Sequence, residues 1–276
     1  MAVNYAEKFS SIIDEELSKE SLTDGAVNKD YDFDGVNKVN VYSVATVPLN
    51  DYDMNAESNR YGTPVELGND VQTLELTQDK SFTFSIDRRN ATDTMMAMSA
   101  AKALAREIKE VVTPTIDKYR ISKWVLNAPV NQVKQETITS DNAYSSFLEA
   151  SMILFDAKVP TSGRIAFVTP AYYKCVKLDK NFVSSGDKAQ ELAINGAVGM
   201  IDKTSIIVAP TDYFASGVNY LITHPMAMTA PIKLADYKQH ENPQGINGWL
   251  VEGRIYFDAF VLKNKKNAIY VSRQQA

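Results

Sequence analysis

Between Lys38 and Arg88 the chain reads KVNVYSVATV, then PLNDYDMNAESNRYGTPVELGND, then VQTLELTQDKSFTFSIDR. The first run is rich in β-branched residues and predicts a strand. In the third, Leu74 and Leu76 alternate with polar neighbours, and so do Phe82, Phe84 and Ile86. That period of two marks half-buried strands. The middle run, residues 48–70, is polar and too long for an ordinary connection, and such loops are usually functional or disordered. A two-stranded ribbon alone in water is marginal. This one must therefore lie on a surface, its own or a neighbour's.

Upstream, Tyr5, Phe9, Ile12, Ile13 and Leu17 share one face of a helix, while Glu7, Asp14, Glu15, Glu16 and Glu20 occupy the other. A membrane-surface helix would carry Lys and Arg there. The expected target is a protein groove. The following SLTDGAVNKDYDFDG is turn-rich and too polar for a core of its own.

Downstream, Asn90 and Asp93 give a helix-start signal, and MMAMSAAKALAREIKEVV follows. Ala97, Ala101, Leu104, Ile108 and Val112 form an apolar stripe, with Lys102, Arg106 and Lys109 elsewhere on the wheel. With Pro114 in the first turn of a continuation, helix is predicted over 91–126, far longer than an average globular helix. From Asn127 the pattern alternates. SSFLEASMILFDA, AYYKCVKL and KAQELAINGAVGMI read as helices; GRIAFVTP and SIIVAP read as strands. Such alternation predicts a mixed α/β lobe. From Tyr220 onward NYLITH, MAMTAPIKLADYK, WLVEGRIYFDAFVL and AIYVS are strand runs, and ENPQGING is a turn.

Composition narrows the function. The chain has 276 residues, 45% hydrophobic and 23% charged, which is ordinary for a globular protein. A compact monomer of this mass would expose about 12,000 Å². One cysteine, Cys175, excludes an internal disulfide and a cysteine-based zinc cluster, and two histidines, His224 and His240, are too few for a His-rich metal site. The start MAVNYAEKFSS carries no secretion signal, and no apolar run is long enough to span a membrane, so a soluble protein made in a reducing cytoplasm is expected. Residues 1–60 hold five Lys and Arg against twelve Asp and Glu, within an overall net charge of −5. An acidic arm against a near-neutral remainder suggests contact with another copy and argues against a nucleic-acid-gripping domain.

Motifs of chemistry are weak. Asp30, Asp32, Asp34 and Gly35 open a calcium loop, but its twelfth position is Val41 and a strand follows. Ser99 and Lys102, then Ser140, Asp141 and Asn142, then Lys203 and Thr204 follow the order of the serine β-lactamase and penicillin-binding triplet. Ser99 falls mid-helix rather than at a helix start, and the third element lacks its glycine. No P-loop, dinucleotide turn, H-E-x-x-H or G-x-S-x-G occurs. Cys175 reads as a packed thiol, His224 as a strand-end residue, and Asn90-Ala91-Thr92 as a sequon that a cytosolic chain would not use.

An acidic arm, an extended ribbon, a beam-like helix, a mixed lobe and closing strands occur in one order. That order, with segments such as NRYGTPVELGNDVQTLELTQDKSFTFSIDR, DTMMAMSAAKALAREIKEVVTPTIDKYR and GRIYFDAFVLKNKKNAIYVS, resembles the major capsid proteins of tailed bacteriophages with the Hong Kong 97 fold. The resemblance implies an α+β fold with an N-terminal arm (1–37), an extended β-hairpin loop (38–90), a peripheral domain with the spine helix (91–126 and 224–262) and an axial domain (127–223 and 263–276). It implies a structural role rather than an enzymatic one, no cofactor, and self-assembly into hexamers and pentamers of a virion head put together in the host cytoplasm. Its partners would be the portal, scaffolding and cement proteins, with packaged double-stranded DNA inside and no membrane. Expected subunit contacts are Tyr52, Met54, Arg60, Tyr61, Val65 and Leu67 on the loop, and Tyr5, Phe9, Ile12, Ile13 and Leu17 on the arm. Some family members cross-link a loop Lys to an Asn, but 48–70 contains no Lys. Encapsulin shells, which share the fold, a monomeric binding module and, more remotely, a serine penicillin-binding or β-lactamase-type enzyme are the alternatives.

Overall fold

The computed structural model describes residues 21–31, 38–44, 46–55, 57–89, 100–180 and 197–275. The five arm residues from Tyr5 to Leu17, the helix start at Asn90, Ser99, and Asp32, Asp34 and Gly35 of the calcium-like run lie outside the described residues.

One helical rod supplies two cores. It consists of α1 (Ala100–Glu107), a π-helical segment (Ile108–Val112) and α2 (Thr113–Asn127), about 40 Å in all at 1.5 Å per residue. Pro114 lacks an N–H and crowds the preceding turn. The rod accommodates it by widening just upstream into the π segment, where Thr115 Oγ1 donates to Val111 O at 2.6 Å. Leu104, Ile108, Val112 and Ile116 enter one hydrophobic cluster, and Ile121, Trp124 and Val125 enter the other. Tyr119 touches both. Ala100, rather than the expected Ala101, is the buried alanine of the first turn.

The first cluster lies under a three-stranded antiparallel sheet of β10 (Ile232–Glu241), β11 (Gly248–Phe257) and β3 (Gln78–Asp87), in that order. Ile86, Tyr237, Val251, Ile255 and Phe257 face the rod, as the alternation requires. Gly253 sits directly beneath the rings of Phe82 and Tyr237, where a Cβ would come within 2.3 Å of Phe82 Cε1. A larger residue there would have to displace these rings.

The second cluster belongs to a six-stranded mixed sheet, ordered β4 (Val133–Gln135), β13 (Ile269–Arg273), β8 (Val218–Thr223), β5 (Ile165–Val168), β7 (Thr204–Val208) and β6 (Ala197–Ile201). Helix α3 (Ala143–Asp156) contributes Phe147, Ala150 and Leu154, and α4 (Pro170–Leu178) contributes Tyr172 and Val176. Trp124 of the rod stacks on Phe167 with ring centroids 5.4 Å apart.

Three expectations change. Of the helix expected over KAQELAINGAVGMI, residues 188–196 lie outside the described residues and the rest is not helical. Residues 197–201 are β6, turned antiparallel onto β7 through Asp202 and Lys203, both at positive φ. That geometry is the mirror-image hairpin turn usually written Asn-Gly, and Asp-Lys conceals it. The run MAMTAPIKLADYK is cut at Ala230-Pro231 into β9 (Met228–Thr229) and β10, and WLVEGRIYFDAFVL is cut at Asp258-Ala259 into β11 and β12 (Phe260–Val261), which pairs with β9. The third change concerns the ribbon. Only β2 (Asn69–Glu75) pairs with β1 (Lys38–Val44); the Phe82–Phe84–Ile86 half is β3, paired along its length with β11.

Candidate assembly surface

The hairpin of β1 and β2 runs in continuous register from Lys38 opposite Glu75 to Val44 opposite Asn69. Its inner edge builds a third, small core of Leu74, Leu76 and Leu262, with Val39, Val41 and Phe260 packed around them. Beyond Asn69 nothing in the described subunit covers it. Leu49 is fully exposed, Tyr61 is 84% exposed and Met54 74%, with Val47, Tyr52, Val65 and Leu67 also about half exposed or more.

The loop nonetheless has a shape. Tyr52 and Tyr61 meet edge to face with centroids 5.0 Å apart. Asp53 N–H donates to Arg60 O at 3.1 Å, Gly62 N–H donates to Asn59 O at 2.8 Å, and Asn55 N–H donates to Asp53 Oδ1 at 2.9 Å. Gly62 has φ +87°, a conformation that favours glycine, and its Cα face lies against the Asn50 side chain. The two arms enclose an open groove of about 540 Å³, whose lining includes Val47, Pro48, Val65 and Leu67. Of the six loop residues expected from sequence, the structure thus brings Tyr52 to Tyr61 and places Val65 and Leu67 on one groove; Met54 and Arg60 are exposed on the loop between Tyr52 and Tyr61, where Arg60 O accepts from Asp53 N–H. Val47 and Leu49 belong to the same exposed set and carried the same signal, large apolar groups on a polar loop.

Two buried carboxylates hold this projection and the arm's exit. Asp258 Oδ2 accepts from Thr77 N–H (2.9 Å) and Thr77 Oγ1 (2.7 Å), while Oδ1 accepts from Tyr119 OH (2.7 Å) and Ala259 N–H (2.7 Å). The hairpin base, the rod and the end of β11 therefore converge on one side chain. Asp117 on the rod accepts from Ser21 Oγ (2.6 Å), Leu22 N–H (3.0 Å) and Thr23 Oγ1 (2.5 Å). Beside it Arg120 donates to Thr23 Oγ1 at 3.1 Å and lies 3.6 Å from Asp24. Burial pulls the Arg120 guanidinium below its ordinary range, opposed by Asp24 and Asp117. Downstream of that clamp Ala26 and Val27 enter the second core, and Asn28 bridges Thr229. Single polar residues with partners more than ninety positions away leave no local pattern, which is why neither carboxylate is legible in sequence.

The remaining motifs are placed locally. Asn142 accepts from Thr139 N–H (2.7 Å) and donates to Thr137 O (2.9 Å) just before α3, and Lys203 is in the β6–β7 turn. Cys175 packs half-buried against the second core. His224 Nδ1 accepts from Met226 N–H, and Nε2 lies 3.1 Å from Ser162 O. Among the described residues no group of three or more His, Cys, Asp or Glu is placed to hold a metal ion, and no helix is long and apolar enough to cross a membrane.

No protein-family model matches the sequence, and no curated protein does. Solved structures do. One from Mycobacterium phage Che8 superposes with a TM-score of 0.69 at 17% identity, covering 90% of this chain and 89% of that one. The capsid of Ralstonia phage GP4 gives 0.68 at 10% identity, covering 94% and 92%. A virus-like particle from Pyrococcus furiosus gives 0.58 at 14% identity, covering 98% and 100%. At these identities the likeness is one of fold: the chain has the α+β, Hong Kong 97-like fold of capsid subunits along nearly its whole length.

Proposed function

We propose that this protein is the major capsid protein of a tailed bacteriophage, a structural subunit that assembles with copies of itself into the head shell around the double-stranded DNA genome. The observation that carries the reading is the projecting hairpin. It is shaped by its own hydrogen bonds and fastened to a firm base, yet it presents Leu49, Met54 and Tyr61 to solvent. Patches of that kind on a polar rim mark interaction sites. Many weak contacts of this sort, closed around a shell, multiply one another.

In this reading the three-stranded sheet and rod form the peripheral domain, the six-stranded sheet forms the axial domain, and Tyr52, Met54, Arg60, Tyr61, Val65 and Leu67 meet a neighbouring subunit. The arm residues Tyr5, Phe9, Ile12, Ile13 and Leu17 do the same. The shell is a virion component assembled in the host cytoplasm, with portal, scaffolding and cement proteins as partners and no enzymatic activity. The near-neutral charge after residue 60 suits an inner surface that does not trap DNA. Negative-stain microscopy and sedimentation of the expressed protein test this: closed particles are expected, and a stable species near 30.7 kDa would refute it.

A second reading has one observation in its favour, the end-to-end coverage of the Pyrococcus furiosus virus-like particle. The chain would then form a protein-filled compartment. Cargo decides between them: nuclease-protected DNA in native particles supports the phage head, a co-purifying enzyme the compartment.

A further inference from the structure

We propose that Gln72 is a positioning residue that fixes the angle at which the hairpin leaves the body, and thereby the curvature of the assembled shell; the second half of this rests on the assembly reading above. The Gln72 side-chain amide makes two bonds to one passing segment. Nε2 donates to Val261 O at 3.0 Å, and Oε1 accepts from Lys263 N–H at 2.9 Å. A strand neighbour makes the same donor-acceptor pair with its backbone. Here a side chain stitches the hairpin to the chain that follows β12.

On the inner face Leu74 packs against Leu262, but apolar packing carries little direction, and the polar contacts around the stitch are weak. A pocket of about 170 Å³ opens beside it, lined by Val41, Ser43, Asp70, Gln72, Lys263 and Asn264. The other contacts across that gap are long: Asn264 Nδ2 to Ser43 Oγ at 3.5 Å, and Lys263 Nζ to Asp70 at 3.9 Å between exposed side chains. Exposed pairs of that kind hold geometry weakly. At the far end Thr77 is pinned by Asp258 and forms the pivot. From Thr77 to the loop at Asn69 is eight residues, about 26 Å of strand, so a 10° swing about the pivot carries the loop start roughly 4–5 Å. A displacement of that size exceeds the reach of any contact the loop makes with a neighbour. The stitch, five residues along the lever, adds a directional restraint to the apolar packing of Leu74 and Leu76 against Leu262. The requirement is specific: Asn is a methylene too short, and Glu supplies an acceptor for Lys263 N–H but faces Val261 O with no donor.

The test uses full-length protein carrying Gln72→Glu or Gln72→Ala. Backbone amide exchange is read in β1 and β2 against β3 and β11, and particle diameters are read by cryo-electron microscopy. At least tenfold faster exchange confined to β1 and β2 is expected, with a broader spread of diameters. Unchanged exchange in both variants, or faster exchange with particles as uniform as the wild type's, would overturn the proposal. Wild-type protein that forms no particles sinks the assembly reading instead, and the exchange measurement still judges whether Gln72 sets the hairpin.

Discussion

Asp258 and Tyr119, 139 positions apart, meet with the phenol donating to Oδ1 at 2.7 Å, and the same carboxylate holds Thr77 at the hairpin base. Burial, and then the hydrogen bond to Asp258, pushes the Tyr119 phenol well above its ordinary range, so it stays a donor at all working pH values. Removing the acceptor strands several donors in a closed site. Asp258→Ala is expected to cost about 3 kcal/mol, and Tyr119→Phe about 1 kcal/mol. Urea unfolding of the subunit measures both; equal costs would mean that the carboxylate is not the node.

The Asp117 clamp makes a second prediction. Its carboxylate is buried and accepts three bonds from residues 21–23, and its loss leaves Arg120 balanced by Asp24 alone. Asp117→Ala is expected to destabilise by about 2–4 kcal/mol. Limited proteolysis should cut the variant near residues 21–28, which the parent protects. Identical digestion patterns would dismiss the clamp.

His224 gives the acid limb. Burial, then nearby Arg164 and Lys265, lower its pKa below the ordinary 6.5, against the backbone bond to Ser162. A folded-state pKa below the unfolded one means that stability is present above pH about 6.5 and declines as pH falls through the folded value. Protonation also places a hydrogen on Nδ1, where Met226 N–H already points. The ring is partly exposed, so the effect stays below about 1 kcal/mol. Between pH 7 and 5 the melting temperature of the parent should fall more than that of His224→Gln; parallel curves would assign the loss to other groups.

On the hairpin, stability and assembly should separate. Leu49→Asp and Tyr61→Ser alter side chains exposed in the subunit, so unfolding free energies should move by no more than about 0.5 kcal/mol. Sedimentation should show particles lost or strongly reduced. A variant that assembles at parental yield would remove that residue from the interface.

Much of this molecule can be read along the chain because many of its elements are amphipathic. Period-two alternation at Leu74–Leu76 and Phe82–Phe84–Ile86, and helical spacing at Leu104–Ile108–Val112, reflect burial of one face and survive as pattern. Local propensity misleads where two outcomes share a composition. AVGMI suits a helix as well as a strand, and pairing with TSIIV across an Asp-Lys turn decides the matter. The exposed loop residues stand out because large apolar groups are conspicuous on a polar segment.

Residue order alone therefore determined that a long polar excursion, a beam-like helix and two strand-bearing regions follow one another, since burial periodicity is local. Which strands pair, that one rod serves two cores through Tyr119, and that Asp117, Asp258 and Gln72 fasten arm and hairpin were decided only in three dimensions. A lone polar side chain carries no period, and its role exists only once folding brings a distant partner within hydrogen-bonding reach.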